Sequence, residues 1–199
     1  MKRLRLGLLG GTFDPIHAGH LIMAEVVWEK MRLDKVVFIP SHLPPHKSAR
    51  GLTPVRNRLR MVELAVCGNP HFEVSSFEAK RAGKSYSIDT VRHFASVFPG
   101  AKLFFIIGCD ALSTLHQWKD IEKIISMVDF VVVNRPGDFK SNQTIKHHSV
   151  FMPGIDISSS DIRERLRRKK SIRYLVPEDV RGYIKKKGLY KWNRIQPVK

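Results

Sequence analysis

Leu6-Gly7-Leu8-Leu9-Gly10-Gly11-Thr12-Phe13-Asp14-Pro15-Ile16-His17-Ala18-Gly19-His20 carries an apolar run into a glycine pair, and Leu21 to about Met31 continues with the pattern of an amphipathic helix. A strand, a glycine turn and a helix N-terminus in that order aim backbone N–H groups at one point and set the positive end of the helix dipole there. Phosphate fits such a point. Gly10 and Gly11 let the backbone approach it, and His17 and His20 place two imidazoles beside the opening. The imidazoles read in two ways: as phosphate ligands that stabilise charge, or, with Asp14 and with His42 and His46, as ligands of a transition metal. The usual zinc motifs are absent, which favours phosphate. Ordinary histidines at a helix start would leave the neighbouring glycines unexplained.

Outward from this stretch, Lys35 to Pro40 reads as a buried parallel strand closed by proline. Ser41 to Lys47 is a stiff loop, because Pro44 and Pro45 fix φ and restrict the residues before them. Thr53-Pro54 opens a helix to about Cys67, Phe72 to Val74 is a short strand, and Glu78 to Tyr86 is a polar loop. A helix from Ser87 or Asp89 stops at Pro99-Gly100, and Lys102 to Ile107 is the clearest central strand, emptying into Gly108-Cys109-Asp110. A short helical stretch, Gln117-Trp118 and a helix from about Asp120 to Met127 lead to a strand from Asp129 to Val133. Asp138 to His148 reads as an irregular loop and Val150 to Met152 as a last strand; Ser158-Ser159-Ser160 caps a basic helix from Asp161 to about Lys169, and Pro177 starts a final helix toward Lys187. This alternation predicts an α/β fold: a doubly wound, mostly parallel sheet with right-handed crossovers and a small C-terminal helical part. Strand C-terminal ends share one edge of such a sheet, so Gly10 to His20, Ser41 to Lys47, Gly108 to Asp110 and Arg135 face one crevice.

The 199 residues suffice for a single domain with a full core, its basic helical part running from about residue 155 to 199. The net charge of +17 is uneven: residues 163–199 hold 14 Lys and Arg against 3 acids, a net +11, and the rest of the chain holds +6. Such a field draws in small polyanions such as nucleotides, or is a solvated helical face. Nucleic acid is not expected as the partner, since the basic runs lack interleaved aromatics and any nucleic-acid motif. Cys67 and Cys109 form no Cys-x-x-Cys pair, which points to a reducing cytoplasm. No apolar run approaches the roughly 18 residues of a membrane span. A homo-oligomer is as compatible with the sequence as a monomer. Among the remaining polar motifs, one of the three serines at 158–160 is an N-cap, and three together with Arg163 one turn in suit a polyphosphate. Trp118 reads equally as core or as a ligand platform, and Asp110 as a ribose ligand or a helix cap.

Taken in order, Gly10 to His20, Pro44-Pro45-His46-Lys47, Ser85-Tyr86-Ser87-Ile88-Asp89-Thr90, Gly108-Cys109-Asp110 with Trp118, Asn134-Arg135-Pro136-Gly137 and Ser158 to Arg163 resemble the bacterial nicotinate-nucleotide adenylyltransferases, from Leu6 to about Tyr190. These belong to the nucleotidyltransferase superfamily marked by His-x-Gly-His. The histidine motif identifies only the superfamily; the ordered set is specific to the family. The resemblance implies a Rossmann-like nucleotidyltransferase fold and Mg²⁺-dependent transfer of the adenylyl group of ATP to nicotinate mononucleotide, giving deamido-NAD and pyrophosphate in NAD biosynthesis. It implies ATP contacts from Gly10, Gly11, Thr12, Phe13, His17, His20, Gly108, Asp110, Ser158, Ser159, Ser160, Ile162 and Arg163. The mononucleotide would meet Asp14, Lys47, Ser85, Tyr86, Thr90, Trp118 and Arg135, with Trp118 stacked on the pyridine ring. His17, His20, Lys47 and Arg163 are the implied catalytic donors and cations, and Mg²⁺ is held by phosphates and water with no metal site of the protein's own. Ser87 and Ser160 stand where the family pattern has threonine, and both keep a hydroxyl.

In-line attack by a phosphate monoester oxygen, whose second pKa is about 6, needs no general base. That agrees with a sequence lacking a Ser-His-Asp arrangement or a carboxylate pair. Two rivals stand beside this reading. Pantetheine-phosphate adenylyltransferase shares the histidine motif but not the Pro-Pro-His-Lys, Ser-Tyr-Ser-Ile-Asp and tryptophan elements, and a basic RNA-binding module would use the C-terminal segment instead.

Overall fold

Apolar side chains alternate between two faces along the central strands, and each face builds its own core. A computed structural model describes residues 3–45, 48–134 and 145–190. Its strands are β1 (Arg5–Gly11), β2 (Lys35–Pro40), β3 (Phe72–Val74), β4 (Lys102–Gly108), β5 (Asp129–Asn134) and β6 (His147–Phe151). Leu9, Val36, Phe38, Phe104, Ile106, Val131 and Val133 point to one face, with α1 (Ala18–Lys30), α2 (Val55–Val66), α7 (Ser159–Arg167) and α8 (Glu178–Lys187). Leu6, Leu8, Val37, Ile39, Phe105, Ile107, Phe130 and Val132 point to the other, with α4 (Ser87–Val97), α5 (Cys109–Leu112) and α6 (Ile121–Met127). Strands buried on both faces read as near-continuous apolar runs, which is why these four were visible in the sequence. The C-terminal helices share the first core through Ile162, Ile172, Val176, Val180 and Ile184.

The sheet has the order β3-β2-β1-β4-β5-β6, and every pairing is parallel. The chain steps outward from β1 to β3, then returns to the other flank of β1 for β4. The connections leaving β1 and β4 therefore diverge to opposite faces, and a crevice opens between their C-terminal ends. This is the predicted doubly wound fold.

Several boundaries differ from the sequence reading, each for a tertiary reason. Gly10 and Gly11 pair with Ile39 and Pro40 inside β1 instead of making the turn. The helix begins at Ala18, not Leu21: His17 is an extended N-cap (φ −148°, ψ 170°), and the Ala18 N–H donates to the Leu175 carbonyl at 2.9 Å. Pro54 occupies the N-cap position of α2, and the Thr53 N–H donates instead to Asp14 Oδ2 at 3.2 Å. The expected loop at 78–86 contains part of a one-turn helix, α3 (Phe77–Lys80), and an isolated bridge between Leu43 and Lys84. β6 starts at His147, within the expected loop, because its backbone pairs with β5 from Phe130 onward. Residues 138–144 lie outside the described part.

Phe13 explains Gly11. Its backbone sits in the left-handed region (φ 48°), its ring is 2% exposed, and a Cβ on Gly11 would lie 2.8–3.0 Å from three ring atoms. A Cβ on Gly10 would meet only Phe105 Cζ, at 3.9 Å. Gly11→Ala should therefore cost about 1–3 kcal/mol, while Gly10→Ala leaves the melting temperature within about 2 °C of wild type. Thermal unfolding of the two variants checks the contrast; equal losses would contradict it.

Candidate active site

Arg58, on α2, has no exposed surface. Its guanidinium donates to the carbonyls of Thr53 (2.8 Å), Thr12 (2.7 Å), Ser41 (2.7 Å) and His42 (2.8 Å). Thr12 follows β1, Ser41 and His42 follow β2, and Thr53 leads into α2, so one planar fork fixes three loop segments at the crevice. Burial lowers the proton affinity of Arg58, while the negative charge of nearby Asp14 opposes that.

Asp14 is 4% exposed and both its oxygens are engaged. Oδ1 accepts from the Tyr190 hydroxyl at 2.6 Å, and Oδ2 from the Thr53 N–H. Burial, then the Asp14 charge, push the Tyr190 hydroxyl well above its ordinary range, so it stays a donor. The N-terminus of α7 docks on the same loop: Arg163 donates to the Asp14 carbonyl at 2.7 Å and to Ser160 Oγ at 3.3 Å, and the Ser159 hydroxyl donates to the Pro15 carbonyl at 2.9 Å. Ser158 is the N-cap, accepting from the Asp161 N–H at 3.0 Å.

The two imidazoles stack, with ring centroids 3.7 Å apart. The His17 N–H donates to His20 Nδ1 at 3.3 Å, so a neutral His20 ring carries its proton on Nε2. The Phe13 ring meets His20 edge-on at 5.0 Å. His17 is buried; His20 is half-buried and reaches the crevice.

There a cavity of about 560 Å³ opens at the C-terminal ends of β1 and β4. Gly10, Gly11, Thr12, His20, Ser85, Tyr86, Gly108 and Trp118 all line it, as the sequence reading placed them. The Trp118 ring packs edge-on against core Phe105 (5.6 Å) and Phe130 (6.5 Å) and also lines the cavity.

Other expected contacts fall elsewhere. Phe13, Asp14 and His17 lie in the buried frame of the loop and are not part of the wall. Thr90 is 1% exposed and donates to Glu78 Oε1 at 2.5 Å. Ile162 is wholly buried in the first core, because its place on α7 is set by helical packing and not by a ligand. Asp110 is exposed on α5, Ser159 and Arg163 bind the 14–15 loop from outside the wall, Ser158 caps α7 and Ser160 accepts from Arg163. Lys47 and Arg135, with His46, lie outside the described residues. The metal reading of Asp14, His17 and His20 loses its carboxylate to Tyr190 and Thr53, and no group of three potential metal ligands occurs among the described residues.

Sequence reasoning missed Arg58, Glu78, Lys119 and Tyr190. Arg58 had a signal: it shares helical spacing with buried Met61 and Val62, so a cation stands on an apolar face. Glu78 and Lys119 line the cavity from segments without a recognised pattern. Tyr190 meets Asp14 across 176 residues and had no local signal.

A family model described as Cytidylyltransferase-like matches residues 8–165. A protein of Geobacillus kaustophilus named as a probable nicotinate-nucleotide adenylyltransferase is 46% identical over 186 residues, covering 94% of this chain and 86% of its own. The chain belongs to this adenylyltransferase family. A second relative of the same name, from a Thermoanaerobacter species, is 43% identical over 202 residues and covers 96% of both chains. The fold of the family is also that of Plasmodium falciparum nicotinic acid mononucleotide adenylyltransferase complexed with NaAD, at a TM-score of 0.79 and 20% identity over 96% of this chain and 99% of that one.

Glu78 gives the site a measurable titration. Burial raises its proton affinity, against the pull of the Thr90 and Ser85 hydroxyls and the Arg81 charge. The native state then holds this proton to higher pH than the unfolded chain, whose glutamates titrate near about 4.3, so stability from this group is full below that pH and falls as pH rises through the native value. Measured against Glu78→Gln, wild type should lose relative stability as pH rises above about 4.3 in denaturant titrations. A difference that does not vary with pH would contradict this.

Proposed function

We propose that this protein transfers the adenylyl group of ATP to nicotinate mononucleotide, releasing pyrophosphate and forming deamido-NAD. The observation that carries the reading is the composition of the crevice wall. The β1–α1 segment supplies backbone at Gly10, Gly11 and Thr12 and the His20 ring, while Tyr86 and Trp118 add an aromatic surface in the same cavity. The first set suits the polyphosphate of ATP, and the second suits a flat pyridine. The names carried by relatives above 40% identity support the same chemistry.

The step is a direct displacement. An oxygen of the mononucleotide phosphate attacks the α-phosphorus of ATP, a new P–O bond forms, and the bond to the β-phosphate oxygen breaks as pyrophosphate leaves. The nucleophile is already largely ionised near neutral pH, with a second pKa of about 6. What the protein must supply is alignment and neutralisation. His20 offers its Nε2–H to a phosphate oxygen, the N-terminus of α1 adds its dipole, and His17 sets the tautomer and tilt of His20 through the backbone bond and the ring stack. Lys47 and Arg135 are the cations that the resemblance assigns to the flanking phosphates and the acceptor, and Arg163 steadies the loop between them through the Asp14 carbonyl.

Mg²⁺ fits as the companion of the ATP polyphosphate, held by phosphate oxygens and water. Glu78, the wall's carboxylate among the described residues, is engaged by Thr90 and Ser85 and is not a free ligand. The cytoplasm, where ATP is made and thiols stay reduced, is the compartment this activity calls for.

The test is a turnover panel: ATP and Mg²⁺ with nicotinate mononucleotide, nicotinamide mononucleotide or phosphopantetheine, read as pyrophosphate release. Release should be fastest with a pyridine mononucleotide; folded protein giving no release, or release only with phosphopantetheine, overturns the reading. His20→Ala should lower kcat by about 10²–10³-fold with an unchanged melting curve.

A further inference from the structure

A second cavity, of about 470 Å³, lies between the C-terminal ends of α7 and α8 and shares no wall residue with the active-site crevice. Its floor is aliphatic, made by Leu166, Ile172, Ile184 and Leu189, with no aromatic ring among the described wall residues. Its rim is cationic and consists of Arg167, Lys169, Lys170, Arg181 and Lys185. Arg167 pairs with Glu164 at 3.0 Å and Arg181 with Glu178, whereas Lys169, Lys170 and Lys185 are exposed and have no carboxylate within ion-pair distance among the described residues.

Cations near helix C-termini answer the helix dipole, but the way α7 ends serves more than the dipole. Both helices close with the same pair of backbone bonds. In α8 the Gly188 N–H donates to the Lys185 carbonyl at 3.2 Å and the Leu189 N–H to the Ile184 carbonyl at 3.0 Å, with Gly188 in the left-handed region (φ 61°). In α7 the Lys169 N–H donates to the Leu166 carbonyl at 3.1 Å and the Lys170 N–H to the Arg165 carbonyl at 2.7 Å, with Lys169 in the left-handed region (φ 55°). Glycine is the ordinary residue at the left-handed position, and an apolar residue at the next one packs back on its helix. Gly188 and Leu189 follow both preferences. α7 sets a lysine at each position, accepting backbone strain at Lys169 and forgoing an apolar contact at Lys170. Both lysines stand on the cavity rim.

A concave aliphatic floor with a few convergent charges at its mouth is the build of a small-molecule site. Without aromatic walls the floor suits an alkyl chain better than a nucleobase, and the three lysines suit an anionic head. The chain itself does not complement this rim: residues 191–199 hold Lys191, Arg194 and Lys199 and no acid, and a second copy of the face would set cation against cation. We propose that the cavity between α7 and α8 binds an amphiphilic anion, its alkyl chain on the aliphatic floor and its phosphate or carboxylate head on Lys169, Lys170 and Lys185.

The experiment titrates full-length protein with decyl phosphate, butyl phosphate, decanol and decyltrimethylammonium by calorimetry, and repeats the first titration on Lys169→Gly/Lys170→Leu, which gives α7 the ending of α8. Decyl phosphate should bind one to one, at least about tenfold tighter than butyl phosphate, for the methylenes it buries, and tighter than decanol, which lacks the charge. The double variant should bind it about tenfold more weakly, with a melting temperature no lower than that of wild type. No saturable binding, equal binding of decyltrimethylammonium, or full affinity in the double variant overturns the proposal. A double variant that melts below wild type overturns it as well, because the lysines then serve the fold. Vesicles of phosphatidylglycerol and of phosphatidylcholine separate the sources of such an anion: sedimentation with the first alone, reversed by decyl phosphate, identifies a membrane lipid, and no sedimentation identifies a free amphiphile.

Discussion

The guanidinium of Arg58 reaches four carbonyl oxygens from three separate loop segments. Thr12, Ser41, His42 and Thr53 belong to loops that close over the ends of two neighbouring strands, where the sheet's own hydrogen bonds have stopped. A buried carbonyl without a donor costs about 1–3 kcal/mol, so irregular backbone can be buried here only because a single side chain supplies several donors in one plane. The arrangement carries a cost of its own, the desolvation of a full charge, and Asp14 offsets part of it from nearby. Everything that shapes the crevice floor follows from this exchange: Gly11 can lie flat against the Phe13 ring, Phe13 can hold a left-handed backbone, and His20 finds its ring buttressed from below.

The sequence was most informative where local chemistry decides structure. Two-face burial marks β1, β2, β4 and β5 as apolar runs, proline and glycine punctuate the loops, and a serine does cap α7. It was least informative where a distant partner decides. β6 has polar residues at His147, His148 and Ser149 and is a strand because β5 offers its free edge. Asp14 belongs to a motif that invites a ligand role, yet its oxygens answer Tyr190 and Thr53. Ile162 sits within a motif too, and there the helical period of α7 outranks it. Motif membership pointed to residues around one cavity while blurring the difference between those that face it and those that hold the ones that do.

That difference has a physical form in the β1–α1 segment. Its wall-facing members present backbone and one imidazole, whereas its hidden members fix dihedral angles and orientation. His17 illustrates the second kind. Its backbone sets the tautomer of its neighbour and its ring limits where that neighbour can tilt, so a single donor direction is prepared before any anion arrives. Preparation of this sort matters in a reaction between two anions, where a donor that had to reorient would lose much of what it contributes.

The bond from the Tyr190 hydroxyl to Asp14 spans 176 residues of chain. Ribosomal synthesis proceeds in one direction, so the loop that emerges among the first residues waits for one of the last described residues before its carboxylate is satisfied. A chain that stops short of Tyr190 can own every described wall residue and still hold Asp14 without its hydroxyl partner, which ties the order of the crevice to a residue far from it in sequence.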